Sequence, residues 1–214
     1  PVIKTASAVI NFLKKLLRCL IPLLAFGNAM SFVEPSSLPL DDPKSGELAK
    51  SMIISEAEEL FGSRDTSFSI NEVILYHNKT PRVVVATELN NLCIVYLSEG
   101  SQKRWECFMY EMAHESVHLL NPQQISASFL EEGVAVWFSM MMCKKYSYSC
   151  KKPTGKYRQA YELLLKISDD VPSVVRVIRA KFPNLTDLNA ADLQTTFPSL
   201  TPLDAKRLVR RMEY

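Results

Sequence analysis

The 214-residue chain is long enough for one folded domain with a sizeable core, since 47% of its residues are hydrophobic. Its formal net charge of +2 argues against the large basic surface that nucleic-acid-binding proteins carry. Six glycines and no glycine-rich nucleotide-binding motif argue against a phosphate-binding fold.

Residues 1–30 form a basic and hydrophobic leader. Lys14, Lys15 and Arg18 precede an apolar run at 19–26, an order typical of a secretory signal peptide. The run is short for a membrane span. We therefore expect an exported (periplasmic or secreted) protein, or one attached to a membrane through this segment. The alternative is an amphipathic helix docked on a cytoplasmic protein.

Residues 31–44 have the Pro, Ser and Asp content of a linker, so we place the folded domain at 45–214. Its first predicted helix covers 45–60, where apolar residues recur at helical spacing and Gly62 follows as a stop. Three short runs rich in β-branched residues then predict strands at 73–76, 83–86 and 92–97. Their short connections predict a small, mostly antiparallel sheet.

The second half of the chain has helical periodicity. Predicted helices cover 102–120, 128–145, 155–167, 172–181, 188–195 and 202–212. A small sheet followed by a mainly helical part indicates the α+β class.

The predicted helix 102–120 contains His-Glu-x-x-His, with His114, Glu115 and His118. Residues four apart project from one face of a helix, so the two imidazoles can bind one Zn²⁺. Glu115 is rotated away from that line and can act as a general base toward water. This motif predicts a zinc-dependent hydrolase.

The five cysteines include Cys143 and Cys150, which flank a short polar stretch. They can form a local disulfide in an oxidising compartment, or they can be free thiols near the core. No Cys-x-x-Cys pair occurs, so a cysteine-based zinc site is not expected.

The His-Glu-x-x-His motif at 114–118 is followed by Leu-Glu-Glu-Gly-Val-Ala at 130–135. Together the two segments resemble the gluzincins, zinc peptidases in which a glutamate on the following helix is the third ligand. The match is to the Leu-x-Glu-Gly-x-Ala pattern of the aminopeptidase-N-like branch. The resemblance implies a zincin-like fold and places the third ligand at Glu132, with Glu131 as the alternative. Asn121 and Gln124 exclude the metzincin pattern.

The resemblance also implies a tyrosine that stabilises the oxyanion of the reaction. Residues 157–161 match the family's Tyr-x-x-Gly-Ala pattern in part, with Ala160 in place of glycine. Tyr157 is the first choice for this role and Tyr161 the second. A zincin-like fold further implies that an edge strand, at 83–88 or 94–98, lines the cleft and pairs with extended substrate.

The sequence thus predicts a zinc metallopeptidase that cleaves peptide or protein substrates. The Gly-Ala-Met-Glu-Asn motif of aminopeptidases does not occur, which favours an endopeptidase. The alternative function is a non-catalytic zinc-binding domain that serves as an interaction module. No feature indicates an oligomeric state.

Overall fold

The structure, a computed structural model, describes residues 39, 41–77 and 80–213. The predicted leader at 1–30 and most of the predicted linker at 31–44 lie outside the described residues. Within the described part of the chain, no helix is both long enough and apolar enough to cross a bilayer.

The first described helix, α1, covers Pro43–Phe61. The Asp42 side chain caps its N-terminus by accepting a hydrogen bond from the Ser45 backbone N–H at 3.1 Å. Gly62 ends the helix with a φ of 95°, a conformation that favours glycine. The predicted helix 45–60 is confirmed, and it begins slightly earlier because the Asp42 cap and Pro43 extend its first turn.

Four short strands form one mixed sheet: β1 (Ser69–Ile70), β2 (Leu75–His77), β3 (Arg82–Ala86) and β4 (Leu92–Ser98). Strand β4 is central. It pairs with β1 and β2 along one edge and with β3 along the other. A 3-10 turn at Thr87–Leu89 and the left-handed residues Asn90 and Asn91 join β3 to β4.

The prediction of a mostly antiparallel sheet is not confirmed. Only β3 pairs antiparallel with β4, whereas β1 and β2 pair parallel with it. Short connections predict antiparallel pairing only where consecutive strands are also neighbours in the sheet. Here β2 and β3 are consecutive but lie on opposite edges of β4.

Seven helices follow the sheet in the described part of the chain: α2 (Glu99–Lys103), α3 (Trp105–His118), α4 (Phe129–Lys145), α5 (Gly155–Leu165), α6 (Val171–Arg179), α7 (Ala190–Thr196) and α8 (Pro202–Val209). They confirm the α+β class and agree with the predicted ranges to within a few residues, with one exception. The predicted helix 102–120 is interrupted at Arg104, whose backbone is extended.

The core lies where α3 packs between the sheet and α4. Strand β4 alternates, so that Cys93, Val95 and Leu97 are buried while the residues between them are half-buried. Helix α3 contacts α1, β4 and α4, and α4 in turn contacts α5. The helix with the His-Glu-x-x-His motif is therefore held on several sides.

Glu111 fixes the end of β4 to α3. Its carboxylate accepts hydrogen bonds from the Ser98 N–H at 2.8 Å, the Ser98 hydroxyl at 2.6 Å and the Ser101 hydroxyl at 2.5 Å. These bonds hold the α2 turn at the end of the sheet, which is a physical reason for the break at Arg104. Glu111 lies one turn before His114, so the same bonds fix the sheet relative to the motif.

Candidate metal centre

His114 and His118 lie at the C-terminal end of α3 and face the first turn of α4. The Nε2 atom of His114 is 3.1 Å from one carboxylate oxygen of Glu132, and the Nε2 atom of His118 is 3.6 Å from the other. Glu132 is fully buried. Because α3 and α4 pack against each other, two histidines on one helix meet a carboxylate on the next.

These three residues could hold one metal ion. A ligand atom from each lies within 4.8 Å of the others. Zinc ligands at bond lengths of about 2.0–2.1 Å in a tetrahedral arrangement lie roughly 3.3 Å apart. The two distances, each from a different oxygen of Glu132, lie close to that spacing, so the three side chains are placed to hold a metal ion.

The neighbouring glutamates have different positions, which separates the two candidates for the third ligand. Glu132 faces both Nε2 atoms, whereas Glu131 accepts a hydrogen bond from the Nδ1 atom of His118 at 2.7 Å. Because Nδ1 donates to Glu131, Nε2 is the atom of His118 that faces Glu132 and could bind a metal ion. Glu131 therefore orients a histidine.

Thr186 holds Glu131 in turn. Its hydroxyl donates to the second carboxylate oxygen of Glu131 and accepts from the Ser128 backbone N–H at 3.0 Å. Ser128 also caps α4, since its hydroxyl accepts from the Glu131 N–H at 3.2 Å. Sequence reasoning missed Thr186, which lies far along the chain in a loop and carries no local signal.

Glu115 is buried beside the two histidines, with only 2% of its surface exposed. Its Oε2 atom is buried and has no hydrogen-bond partner among the described residues. Burial raises the pKa of this carboxyl. The nearby His114 and His118 act to lower this pKa, whereas the charges of Glu132 and Glu111 act to raise it further. A buried carboxylate oxygen without a protein donor is suited to binding water or substrate.

Negative charge surrounds His118. Burial alone would lower the pKa of His118, but the nearby carboxylates of Glu132, Glu131 and Glu115 outweigh it and raise the pKa to about 10. Three carboxylates around one imidazole favour a positive charge in this place, which a proton or a metal ion can supply.

Gly133 permits the close approach of α5 to α4. A Cβ atom at this position would lie 2.6 Å from the backbone oxygen of Ala160, so a side chain would force the helices apart. Ala160 is fully buried at this contact. Tyr157 lies one turn before Ala160 on the same helix.

Tyr157 lies against the site and Tyr161 does not line it. The Tyr157 ring meets the His114 ring edge to face, with centroids 5.6 Å apart. Burial, with Glu132 and Glu115 nearby, raises the pKa of the Tyr157 hydroxyl, which therefore stays protonated at neutral pH. A protonated phenol can donate a hydrogen bond.

Tyr110 is a further tyrosine near the site that sequence reasoning missed. It precedes His114 by one helical turn and lines the same cleft. Burial, reinforced by Glu132, raises its pKa to about 12. Its spacing of four residues from His114 was a usable signal, because such residues share a helix face.

No family model, curated protein or solved structure matches this chain. The function therefore has to be inferred from the geometry of the site.

The candidate metal centre borders a cleft with two lobes that share five lining residues: Thr80, Pro81, His114, Glu115 and Tyr157. One lobe has a volume of about 360 Å³, and we call it the apolar lobe because its other lining residues include Val83, Pro122, Ile125 and Ala127. The second has about 510 Å³, and we call it the basic lobe because its other lining residues include Arg104, Lys151 and Lys152.

Strand β3 forms the rim of the apolar lobe, where Arg82 and Val83 line it. Among the described strands β3 pairs only with β4, so its other edge is unpaired within the described part of the chain. Of the two predicted edge strands, 83–88 therefore overlaps the true edge. The alternative, 94–98, is wrong because β4 is paired along both edges.

Cys143 and Cys150 form a disulfide with a Cα–Cα distance of 6.0 Å, which confirms the first of the two alternatives for this pair. The bond joins the end of α4 to the segment that borders the basic lobe. Cys93 and Cys107 are free thiols, and Cys19 lies outside the described residues.

Proposed function

We propose that this protein is a zinc-dependent peptidase, with His114, His118 and Glu132 as the metal ligands. The observation that carries the proposal is the arrangement of Glu115 beside the Glu132–histidine cluster. Its Oε2 atom is buried and has no hydrogen-bond partner among the described residues, and Glu115 lines both lobes of the cleft. A purely structural metal site needs no such group.

A zinc ion in such a site supplies Lewis-acid polarisation of a carbonyl and lowers the pKa of water toward neutrality. Glu115 accepts a proton from the attacking water and passes it to the leaving amine. Tyr157 donates a hydrogen bond from its phenol to the developing oxyanion. Glu131 keeps the His118 ring in place through Nδ1.

The shape of the cleft favours an endopeptidase. Lobes extend on both sides of His114 and Glu115, so a chain can continue in both directions from the bond that is cleaved. The open edge of β3 offers backbone hydrogen bonds to an extended peptide along the rim. The resemblance of residues 114–118 and 130–135 to the gluzincins supports the same proposal.

The test is the substitution Glu115→Gln in zinc-loaded protein. We expect hydrolysis of fluorescent casein to fall by about 10²- to 10⁴-fold, because the general base is lost. Zinc content, measured by mass spectrometry, should stay near that of the wild type. Glu59→Gln, an exposed glutamate on α1 that lines neither lobe of the cleft, is the matched control and should keep full activity.

Chelation separates this proposal from the alternative of a non-catalytic zinc-binding module. A strong chelator should abolish casein hydrolysis, and added zinc should restore it. Wild-type activity in the Glu115→Gln variant would contradict the mechanism. Stoichiometric zinc binding without hydrolysis of any casein or peptide substrate would instead support the interaction module.

A further inference from the structure

Three basic and three acidic side chains line the basic lobe, and two of the basic ones have no acidic partner among the described residues. Arg104 pairs with Glu106 at 3.5 Å. Lys151 and Lys152 are exposed, line the lobe and form no ion pair or hydrogen bond with another described residue. Glu111, which also borders this lobe, accepts its hydrogen bonds from the sheet side.

The two lysines are held at the cleft by covalent structure. They directly follow Cys150, whose disulfide to Cys143 ties the segment to the end of α4. The Cys150 sulfur also lies 3.5 Å from the backbone oxygen of Glu106 on α3, and Pro153 follows the lysines. A segment anchored in this way loses less conformational entropy when a ligand binds.

The direction of β3 relates the lobes to the two ends of a bound peptide. Thr80 and Pro81 border both lobes, whereas Val83, further along the chain, borders only the apolar lobe. A peptide paired antiparallel with β3, the slightly more stable of the two pairings, runs from the apolar lobe to the basic lobe. The basic lobe then receives the residues on the carboxyl-terminal side of the cleaved bond.

We infer that Lys151 and Lys152 bind a carboxylate of the substrate on the carboxyl-terminal side of the cleaved bond. This inference rests on the proposed peptidase function. The carboxylate comes from an Asp or Glu side chain or from the free carboxyl terminus of the peptide. A lysine ammonium is a point charge, so it can bind a carboxylate from either source. An arginine would favour a carboxylate that can take two parallel hydrogen bonds.

Matched peptides test the inference and distinguish the two sources. The parent is a casein-derived peptide whose cleavage site has been located by mass spectrometry. In the first arm, the peptides have an amidated C-terminus and form pairs that differ only by Glu or Gln at one position. The positions tested are the two before and the two after the cleaved bond. In the second arm, a neutral peptide that ends two residues past the cleaved bond carries a free or an amidated terminus.

We expect kcat/KM to favour the carboxylate-bearing peptide by roughly three- to tenfold in at least one arm. The preference should shrink as the salt concentration rises, because exposed charges are screened. In the double variant Lys151→Glu and Lys152→Glu the preference should be lost or inverted. The double variant Lys181→Glu and Lys206→Glu changes the net charge equally, away from the cleft, and should keep the wild-type ratio.

A preference in the first arm identifies acidic side chains as the source, and one in the second arm identifies the carboxyl terminus. Equal cleavage within every pair overturns the inference while the proposed function stands. A Glu preference confined to the amino-terminal side, or one unchanged in the Lys151→Glu and Lys152→Glu variant, overturns it in the same way. No cleavage of any peptide by the zinc-loaded protein overturns the proposed function, and this inference with it.

Discussion

Helix α4, which carries the candidate glutamate ligand, is far more deeply buried than strand β3 across the cleft. Twelve of the 17 residues of α4 are buried, including Glu131 and Glu132. In β3 only Ala86 is buried, and the other four residues are half-buried. Side chains on the α4 side of the cleft are therefore packed more tightly than those on the β3 side.

This difference in burial suits two different tasks. The buried side of the cleft can hold charged groups, and the exposed side can contact a substrate. Carboxylates and imidazoles buried together need fixed partners, because an unpaired charge in the interior is costly. Glu131 has such partners in His118 and Thr186. The rim needs only an open backbone edge and exposed apolar side chains. Substitutions in the α3–α5 region should thus cost stability or metal affinity, and those at the rim should not.

Gly133→Ala should have the largest effect on stability. The added Cβ would lie 2.6 Å from the Ala160 backbone oxygen, and backbone cannot move aside as a flexible side chain can. We expect the free energy of unfolding of the metal-free protein to fall by about 2–3 kcal/mol. Thermal unfolding should show a Tm lower by roughly 5–10 °C. Tyr157 should also shift, so the zinc-loaded variant should have a lower kcat.

Gly46→Ala is the control for that substitution. Gly46 lies within α1, and the nearest heavy atom to an added Cβ would be 3.8 Å away, an ordinary contact. Alanine is the better helix former, so this variant should be as stable as the wild type or slightly more stable. Similar losses of stability in both variants would show that the α4–α5 contact is not specially tight.

Glu131→Gln should have the next largest effect, on metal affinity. Loss of the carboxylate that orients His118 should weaken zinc binding by about 10- to 100-fold, which a competition titration with a chromophoric chelator measures. At saturating zinc the variant should still bind one ion per chain. Glu132→Gln, which removes a ligand, should lose stoichiometric binding altogether.

Glu162→Gln is the control for Glu131→Gln, because Glu162 pairs with Arg158 on the exposed side of α5 and should not affect zinc binding. An unchanged affinity in Glu131→Gln would contradict the orienting role. Loss of stoichiometric binding in Glu131→Gln, with binding kept in Glu132→Gln, would mean that the two glutamates exchange roles.

The sequence predicted the candidate ligands well because their geometry is mostly local. The helical repeat alone brings His114 and His118 together, and the helix predicted at 128–145 agrees with α4 to within one residue. Gly133, which directly follows Glu132, allows the close approach that Ala160 makes. Those features depend on spacing along one or two neighbouring helices.

What the sequence did not predict depends on contacts between distant segments. The resemblance favoured Glu132, but spacing alone left Glu131 open because adjacent glutamates differ by only one step around a helix. The packing of α3 on α4 determines that Glu132 faces both Nε2 atoms. Thr186 reaches Glu131 from a separate loop. The parallel pairing of β2 with β4 likewise could not be predicted, since strand order is a property of the whole fold.

Ile125→Ser should have the smallest effect on stability and tests the rim directly. Ile125 lines the apolar lobe and is 55% exposed, so the free energy of unfolding should change by no more than about 0.5 kcal/mol. Peptides with a large apolar residue on the amino-terminal side of the cleaved bond should lose roughly threefold or more in kcat/KM. Val177→Ser, a comparably exposed position on α6 away from the cleft, should change neither quantity appreciably. A loss of Tm in Ile125→Ser as large as that in Gly133→Ala would mean that the rim is packed as tightly as the ligand helices, and the division between the two sides of the cleft would fail.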